Sequence, residues 1–114
     1  MGKYKYKIEK SKGGYYFRLF PNNSNTQEIG RSNTFDNIEE CKNALTIFKK
    51  SGEIFKNNPE LCTIIKTDNN KYIFKIYFNE NKFVFYRKSE YVERRKCNKA
   101  IESIIINIDA VTEY

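Results

Sequence analysis

Polar and hydrophobic residues alternate from the start of the chain. Tyr4, Tyr6 and Ile8 lie between Lys3, Lys5, Lys7 and Glu9, the two-residue period of a strand with one wet face. Lys12-Gly13-Gly14 supplies a turn, and residues 15–20 form the returning strand. Its inner face is expected to carry Tyr15, Phe17 and Leu19, leaving Tyr16, Arg18 and Phe20 outside. A polar loop follows at Pro21-Asn22-Asn23-Ser24-Asn25, then a short third strand at about 27–31. The period then lengthens. Asp36 stands three residues before Glu39 in a capping-box pattern, and Ile38, Cys41, Leu45 and Phe48, with Ala44 beside them, mark one face of a helix. Gly52 is placed to stop that helix, and residues 53–60, with Asn57-Asn58-Pro59, read as a connector.

The same succession then returns. Tyr15-Tyr16-Phe17-Arg18-Leu19 comes back as Tyr72-Ile73-Phe74-Lys75-Ile76 at an offset of 57, and Phe35, Cys41, Ala44 and Leu45 come back as Tyr91, Cys97, Ala100 and Ile101 at an offset of 56. A constant offset with a one-residue slip is the signature of internal duplication. Repeat one covers about 3–52 and repeat two about 61–114. Leu61, Thr63 and Ile65 align with Tyr4, Tyr6 and Ile8, and Asp68-Asn69-Asn70 replaces the glycine turn. Residues 72–78 form the returning strand, and Asn79-Glu80-Asn81 turns into a strand at 83–88. A helix is expected over 92–106, with Cys97, Ile101, Ile104 and Ile108 facing inward, and a short closing strand over 110–114. Units of about 50 residues rarely bury enough surface to fold alone, so the two share one core in a single domain, 1–114. The fold class is α+β: two tandem β3-α(-β) repeats sharing one antiparallel sheet, with two helices packed on one face.

Chemistry is constrained by what is missing. The chain has no histidine and no tryptophan, so the commonest group that titrates near neutral pH is absent. Three cysteines without a C-x-x-C spacing support neither a disulfide framework nor a thiolate zinc site. Cys41 and Cys97 fall on apolar helix faces, where a thiol packs as a small hydrophobe; Cys62 is expected on the outer side of its strand. Gly13-Gly14 lies between two strands, not at the strand-to-helix junction of a phosphate loop. Neither catalytic residues nor a cofactor nor a metal is expected. The first residues run straight into charge, without the apolar stretch of a signal peptide, and no run approaches the roughly 18 apolar residues of a membrane helix. The expectation is a cytoplasmic chain that engages no membrane.

At this point the residues resemble the YegP-like family, small bacterial domains of unknown function that occur singly or in tandem. The resemblance spans nearly the whole chain. It rests on the aromatic-Arg-Leu strand (Tyr16-Phe17-Arg18-Leu19 and Ile73-Phe74-Lys75-Ile76). It also rests on the approach to the helix aromatic (Ser32-Asn33-Thr34-Phe35 and Ser89-Glu90-Tyr91) and on the helix pairs Ala44-Leu45 and Ala100-Ile101. The family's Asn-Gly turn and its glycine before the helix aromatic are missing in both halves, which marks a divergent member. The resemblance implies two β3-α-β units on one sheet and no established activity.

The chain carries 21 Lys and Arg against 14 Asp and Glu, a formal net charge of +7. That excess makes an anionic partner plausible, and an A·T-rich coding sequence, which inflates Lys, Asn and Ile, would explain it as well. The outer sheet face is expected to pair Tyr16 with Ile73, Arg18 with Lys75 and Phe20 with Tyr77 across the repeats, beside Lys3, Lys5 and Lys7. Aromatics interleaved with cations are the surface on which single-stranded nucleic acid stacks. Arg31 and Arg87 are repeat-equivalent, either an anion contact or a cap on helix carbonyls. Arg94, at the position of the inward Ile38, joins Arg87, Lys88, Arg95, Lys96 and Lys99 in the densest basic stretch. Glu39 and Glu40 correspond to Arg95 and Lys96, a possible charge pairing between the two helices. Ile106 points off the helix stripe and needs either the closing strand or another protein to cover it. Two readings follow. One is a non-catalytic module binding nucleic acid through this face; the other is an interaction or inhibitor module docking an acidic protein. A chain that completes its own sheet is expected to be monomeric, with edge exchange into a homodimer as the alternative.

Overall fold

The computed structural model describes residues 3–24 and 26–113. Seven strands form one sheet: β1 (Lys5–Ser11), β2 (Gly14–Phe20), β3 (Gly30–Ser32), β4 (Cys62–Lys66), β5 (Tyr72–Phe78), β6 (Phe83–Tyr86) and β7 (Val111–Glu113). Three helices pack on it: α1 (Ile38–Lys49), α2 (Gly52–Asn57) and α3 (Arg94–Ile106). The strand order is β4-β5-β6-β3-β2-β1-β7. The two halves meet in the middle, where β3 and β6 pair antiparallel with Arg31 opposite Tyr86 and Ser32 opposite Phe85. An isolated bridge ties Tyr15 to Phe35 ahead of α1, and another ties Tyr72 to Tyr91 ahead of α3. The expected α+β class is what the chain adopts.

Register assigns the faces. Tyr6 lies opposite Leu19 and Ile8 opposite Phe17; the intervening pairs are Lys5 with Phe20, Lys7 with Arg18 and Glu9 with Tyr16. Opposed residues in an antiparallel pair share a face, so Tyr6, Phe17 and Leu19 enter the core together. They meet Phe74, Ile76, Phe78 and Phe85 from the other half, Cys41, Ala44, Leu45 and Phe48 from α1, and Cys97, Ala100, Ile101 and Ile104 from α3. The centre is aromatic. Phe48 stacks on Phe85 at 4.6 Å between centroids and meets Phe78 edge-on at 4.9 Å, and Phe17 stacks on Phe85 at 5.8 Å. Each fully buried ring contributes about 1.5–3 kcal/mol. The Tyr6 hydroxyl, sealed in this layer, donates to the Ile108 carbonyl at 2.6 Å.

Five local expectations are corrected. The cap of α1 is Asn37, not Asp36: its backbone is extended and its Oδ1 accepts from the Glu40 N–H at 2.9 Å. Gly52 does not stop a helix but opens α2, which runs into the expected connector; a Cβ at Gly52 would press on Ile108 Cγ2 at 3.2 Å, which favours glycine there. Phe55 of α2 is buried, so the helical layer has three members, not two. Strand β4 is out of step by one residue from the expected alignment. Cys62 faces Ile76 and Ile64 faces Phe74 in the core, while Thr63 opposes Lys75 on the outside. A one-residue slip exchanges the two faces of a strand, so Cys62 points inward rather than outward. Finally, β7 lies parallel to β1. The long return over α3 is the crossover that such a pairing requires.

The turns fall where asparagine is dense: Asn70, Asn79, Glu80 and Asn81 take positive φ, a region asparagine tolerates better than most residues. Ile38 is half-exposed at the start of α1, so its counterpart Arg94, also exposed, departs less from it than the helical face suggested. Ile106 stays 75% exposed, since β7 does not cover it. Tyr114 lies outside the described residues, as do Met1, Gly2 and Asn25. No described helix is long and apolar enough to cross a membrane.

Candidate functional site

With all three helices on one side, the other side of the sheet is built from the alternate residues of each strand. β7 and β1 contribute Val111, Glu113, Lys5, Lys7 and Glu9; β2 and β3 contribute Tyr16, Arg18, Phe20 and Arg31; the remaining strands contribute Tyr86, Val84, Lys75, Tyr77, Ile73, Thr63 and Ile65. Tyr16 and Ile73, Arg18 and Lys75, and Phe20 and Tyr77, the residues matched across the repeats, therefore all lie on one face of the sheet. Its electrostatics differ between the halves.

In the first half the cations are tied to carboxylates. Lys5 and Lys7 reach Glu113 at 3.2 and 3.6 Å. Arg18 bridges Glu9 at 2.8 Å and Glu28 at 2.5 Å. Burial pulls the Arg18 pKa down, but its hydrogen bonds and charge contacts with Glu28 and Glu9 outweigh that and leave it raised. Arg31 grips the same Glu28 through Nε and Nη2, at 2.5 and 2.6 Å, and that bond raises its pKa. Phe20 lies on this face as expected but is only 1% exposed, covered by the Lys7 ammonium at 5.2 Å and the Arg18 guanidinium at 4.7 Å. It offers no ring to a ligand. Tyr16 is half-buried under Arg31 at 5.0 Å and donates weakly to Glu9. Lys3, exposed just before β1, borders a separate cleft with Tyr4, Asp109 and Val111.

The second half is different. The outward residues of β4, β5 and β6 include no acid, and Lys75 forms no ion pair among the described residues. Tyr77 and Tyr86 stand on either side of it, half-exposed.

The basic residues at 87–96 separate. Arg87 donates from Nη1 to the Glu28 and Ile29 carbonyls at 3.2 and 3.5 Å and from Nε to the Ser89 carbonyl at 2.9 Å, with its plane over the Tyr91 ring at 4.2 Å. It therefore caps loop carbonyls rather than those of a helix. Arg94, Arg95 and Lys96 occupy the first turn of α3 in the helical layer, away from the sheet face, so the structure does not bring them together with Arg18 and Lys75. Arg95 and Lys96 face Glu93 at 3.8 and 3.7 Å, and Glu39 faces Lys42 at 4.0 Å; the pairing between the helices is not formed. The two helices lie over different halves of the sheet, α1 against β2 and α3 against β5.

Three residues on this face were not singled out from sequence: Glu28, Glu9 and Tyr86. The hairpin register gives Glu9 its place opposite Tyr16, and spacing of three puts Glu28 within reach of Arg31; either could have been derived. The thiols are not poised for chemistry. Burial pushes Cys41 and Cys62 up to about 11 and raises Cys97 as well.

No family model matches the chain, and no curated protein matches it. Two solved structures do. The solution structure of the UPF0339 protein SO3888 from Shewanella oneidensis aligns over 97% of this chain and 90% of its own, with a TM-score of 0.78 at 15% identity. That of yegP from E. coli, a protein of unknown function, aligns over 98% and 91%, with a TM-score of 0.78 at 14% identity. The chain thus shares the YegP-like fold.

Proposed function

We propose that the chain is a small non-catalytic binding module, a divergent tandem relative of the YegP-like proteins, whose open sheet face binds single-stranded nucleic acid. The observation that supports this most is the acid-free patch formed by Tyr77, Lys75 and Tyr86 beside Tyr16 and Arg31. Rings on adjacent strands of an open sheet provide stacking surfaces for successive bases, and cations between them meet phosphates. Each stacked base is worth about 1–3 kcal/mol, and a sequence-tolerant mode is expected because every base has a face. In this reading the two β3-α units are copies of one ancestral segment, joined in one domain over 1–114, acting in the cytoplasm as a monomer.

The test is fluorescence anisotropy with labelled single-stranded and duplex oligonucleotides at low and physiological salt. Micromolar binding that weakens with salt, and weakens about tenfold in Tyr77→Ala with Tyr86→Ala, is the expected result. Absence of binding at low salt, or affinity indifferent to salt and to both tyrosines, refutes it.

A second reading, protein docking, has its own supporting observation on the helix side. Ile47 and Ile54, both exposed, line a cleft of about 420 Å³ with Phe55, Leu61 and the 79–81 turn. An acidic partner would in addition meet Arg94, Arg95 and Lys96. Binding that survives loss of both tyrosines but not Ile54→Asp would favour this reading.

A further inference from the structure

Where the two halves of the sheet meet, the loops at 26–29 and 87–89 enclose a cleft of about 330 Å³ on the outer side. Its walls include Arg18, Arg31, Arg87 and Lys88, with Glu28 among them. Arg18 and Arg31 are directly opposed across β2 and β3. Like charges in that position destabilise a sheet, and the Glu28 carboxylate bridging both relieves the repulsion.

Each guanidinium is held in place. Arg18 lies over Phe20, Arg31 over Tyr16 and Arg87 over Tyr91, at 4.7, 5.0 and 4.2 Å. Each is also fixed by hydrogen bonds through two of its nitrogens. The third nitrogen in each case (Nη2 of Arg18, Nη1 of Arg31 and Nη2 of Arg87) has no protein acceptor among the described residues. Lys88, exposed at the rim, likewise forms no ion pair there. Three immobilised guanidinium planes with donors to spare are a receptor whose ordering cost has been met by folding.

We infer that this cleft is an oxyanion site for phosphate, in which Arg18, Arg31 and Arg87 donate to the phosphate oxygens and Lys88 closes the rim. Glu28 limits the affinity: it organises Arg18 and Arg31 while opposing a second anion nearby. The inference deepens the nucleic-acid reading, since the cleft adjoins Tyr16 and Tyr86 and would anchor the backbone of a strand stacked on the sheet. Its chemistry serves a free phosphate monoester equally well.

The experiment follows the arginine Nε–Hε signals by 15N–1H NMR during titration with inorganic phosphate, with sodium chloride at matched ionic strength as control. A second arm uses an unphosphorylated oligothymidylate. Phosphate should shift the Arg18, Arg31 and Arg87 signals saturably where chloride does not. Glu28→Gln, which keeps the shape and one acceptor oxygen, should tighten phosphate binding roughly tenfold by removing the opposing charge. Arg31→Lys, keeping charge but losing the planar fork, should weaken it. If phosphate saturates the arginines and the oligonucleotide does not bind, the site holds for a small phosphate and the sheet-face reading fails. If the oligonucleotide binds through the tyrosines while neither it nor inorganic phosphate moves the arginine signals, the site is overturned and the sheet-face reading holds. If both wild type and Glu28→Gln respond to phosphate only as to chloride, the site is overturned, whatever the oligonucleotide does.

Discussion

Gly30 offers a sharp test of how tightly the two halves of the sheet are joined. It lies in β3 opposite Leu19, next to the central β3–β6 seam. A Cβ at that position would stand 2.4 Å from Cε2 and 3.0 Å from Cζ of Phe85. Carbon atoms settle at about 3.5–4.0 Å, so Gly30→Ala requires the ring to retreat by about 1 Å. The ring has nowhere to go. Phe85 is fully buried, stacked on Phe48 at 4.6 Å and on Phe17 at 5.8 Å, both at 23° between planes. Overpacking of this kind costs about 1–3 kcal/mol, and each kcal/mol moves the midpoint of a domain this size by about 4–8 °C. Gly30→Ala should therefore melt roughly 5–20 °C below wild type. Gly13→Ala is the control. Its φ is not positive, and the nearest atom to a new Cβ is Thr34 Oγ1 at 3.8 Å, so the change should be neutral or stabilise by about 0.4–1 kcal/mol. Urea and thermal unfolding followed by circular dichroism measures both. If Gly30→Ala unfolds at the same midpoint as Gly13→Ala, with equal m-values, the seam is looser than these contacts imply and the reasoning fails.

Two further outcomes follow from buried groups. Tyr6→Phe removes the 2.6 Å hydrogen bond to the Ile108 carbonyl and leaves that acceptor inside the core, so it should cost about 1–3 kcal/mol; an unchanged urea midpoint would show that water or a shift in the chain replaces the bond. Burial holds the folded Cys41 and Cys62 thiols at about 11, above their ordinary 9.0, and moves Cys97 and Tyr6 in the same direction. Between those limits the unfolded chain has released protons that the folded chain retains. Stability should hold below pH 9 and fall as pH rises toward 11; equal urea midpoints at pH 8 and pH 10 would contradict this.

How much was legible depends on how local each cause is. Tyr15, Phe17 and Leu19 alternate with Tyr16, Arg18 and Phe20, and the faces of β2, and by the 57-residue offset those of β5, followed from sequence alone, although Phe20 on the outer face is covered and not exposed. Residues 61–65 alternate in both frames: Leu61, Thr63 and Ile65 make as good an apolar row as Cys62 and Ile64. Only the register against β5 chooses between them, and that register moved Cys62 into the core. Gly52 reads the same whether it ends a helix or makes room for a neighbour. The neighbour is Ile108, distant in sequence, so the stop was the natural inference and the wrong one.

Charge was the least legible property, for a similar reason. The outward placement of Lys5, Lys7 and Arg18 follows from alternation, but their partners do not. Glu113 comes from a strand at the far end of the chain that runs parallel to β1, and Glu28 comes from a loop. At the sheet face the first half is carboxylate-bound and the second is acid-free, a difference that the whole-chain charge does not reveal. This asymmetry gives the proposed binding mode a direction. In that mode a strand of nucleic acid would gain little over β1 and β7, where Glu9 and Glu113 would repel it, and most over β5 and β6, where Tyr77, Lys75 and Tyr86 lie without an outward acid. In the proposed mode the arginine cleft, at the border between these regions, would hold a phosphate on fixed guanidinium donors while its bases extend over β5 and β6. Lys75→Ala should therefore weaken oligonucleotide binding more than Lys5→Ala does, by anisotropy at low salt. Equal losses would mean that the strand responds to overall charge and not to this geometry.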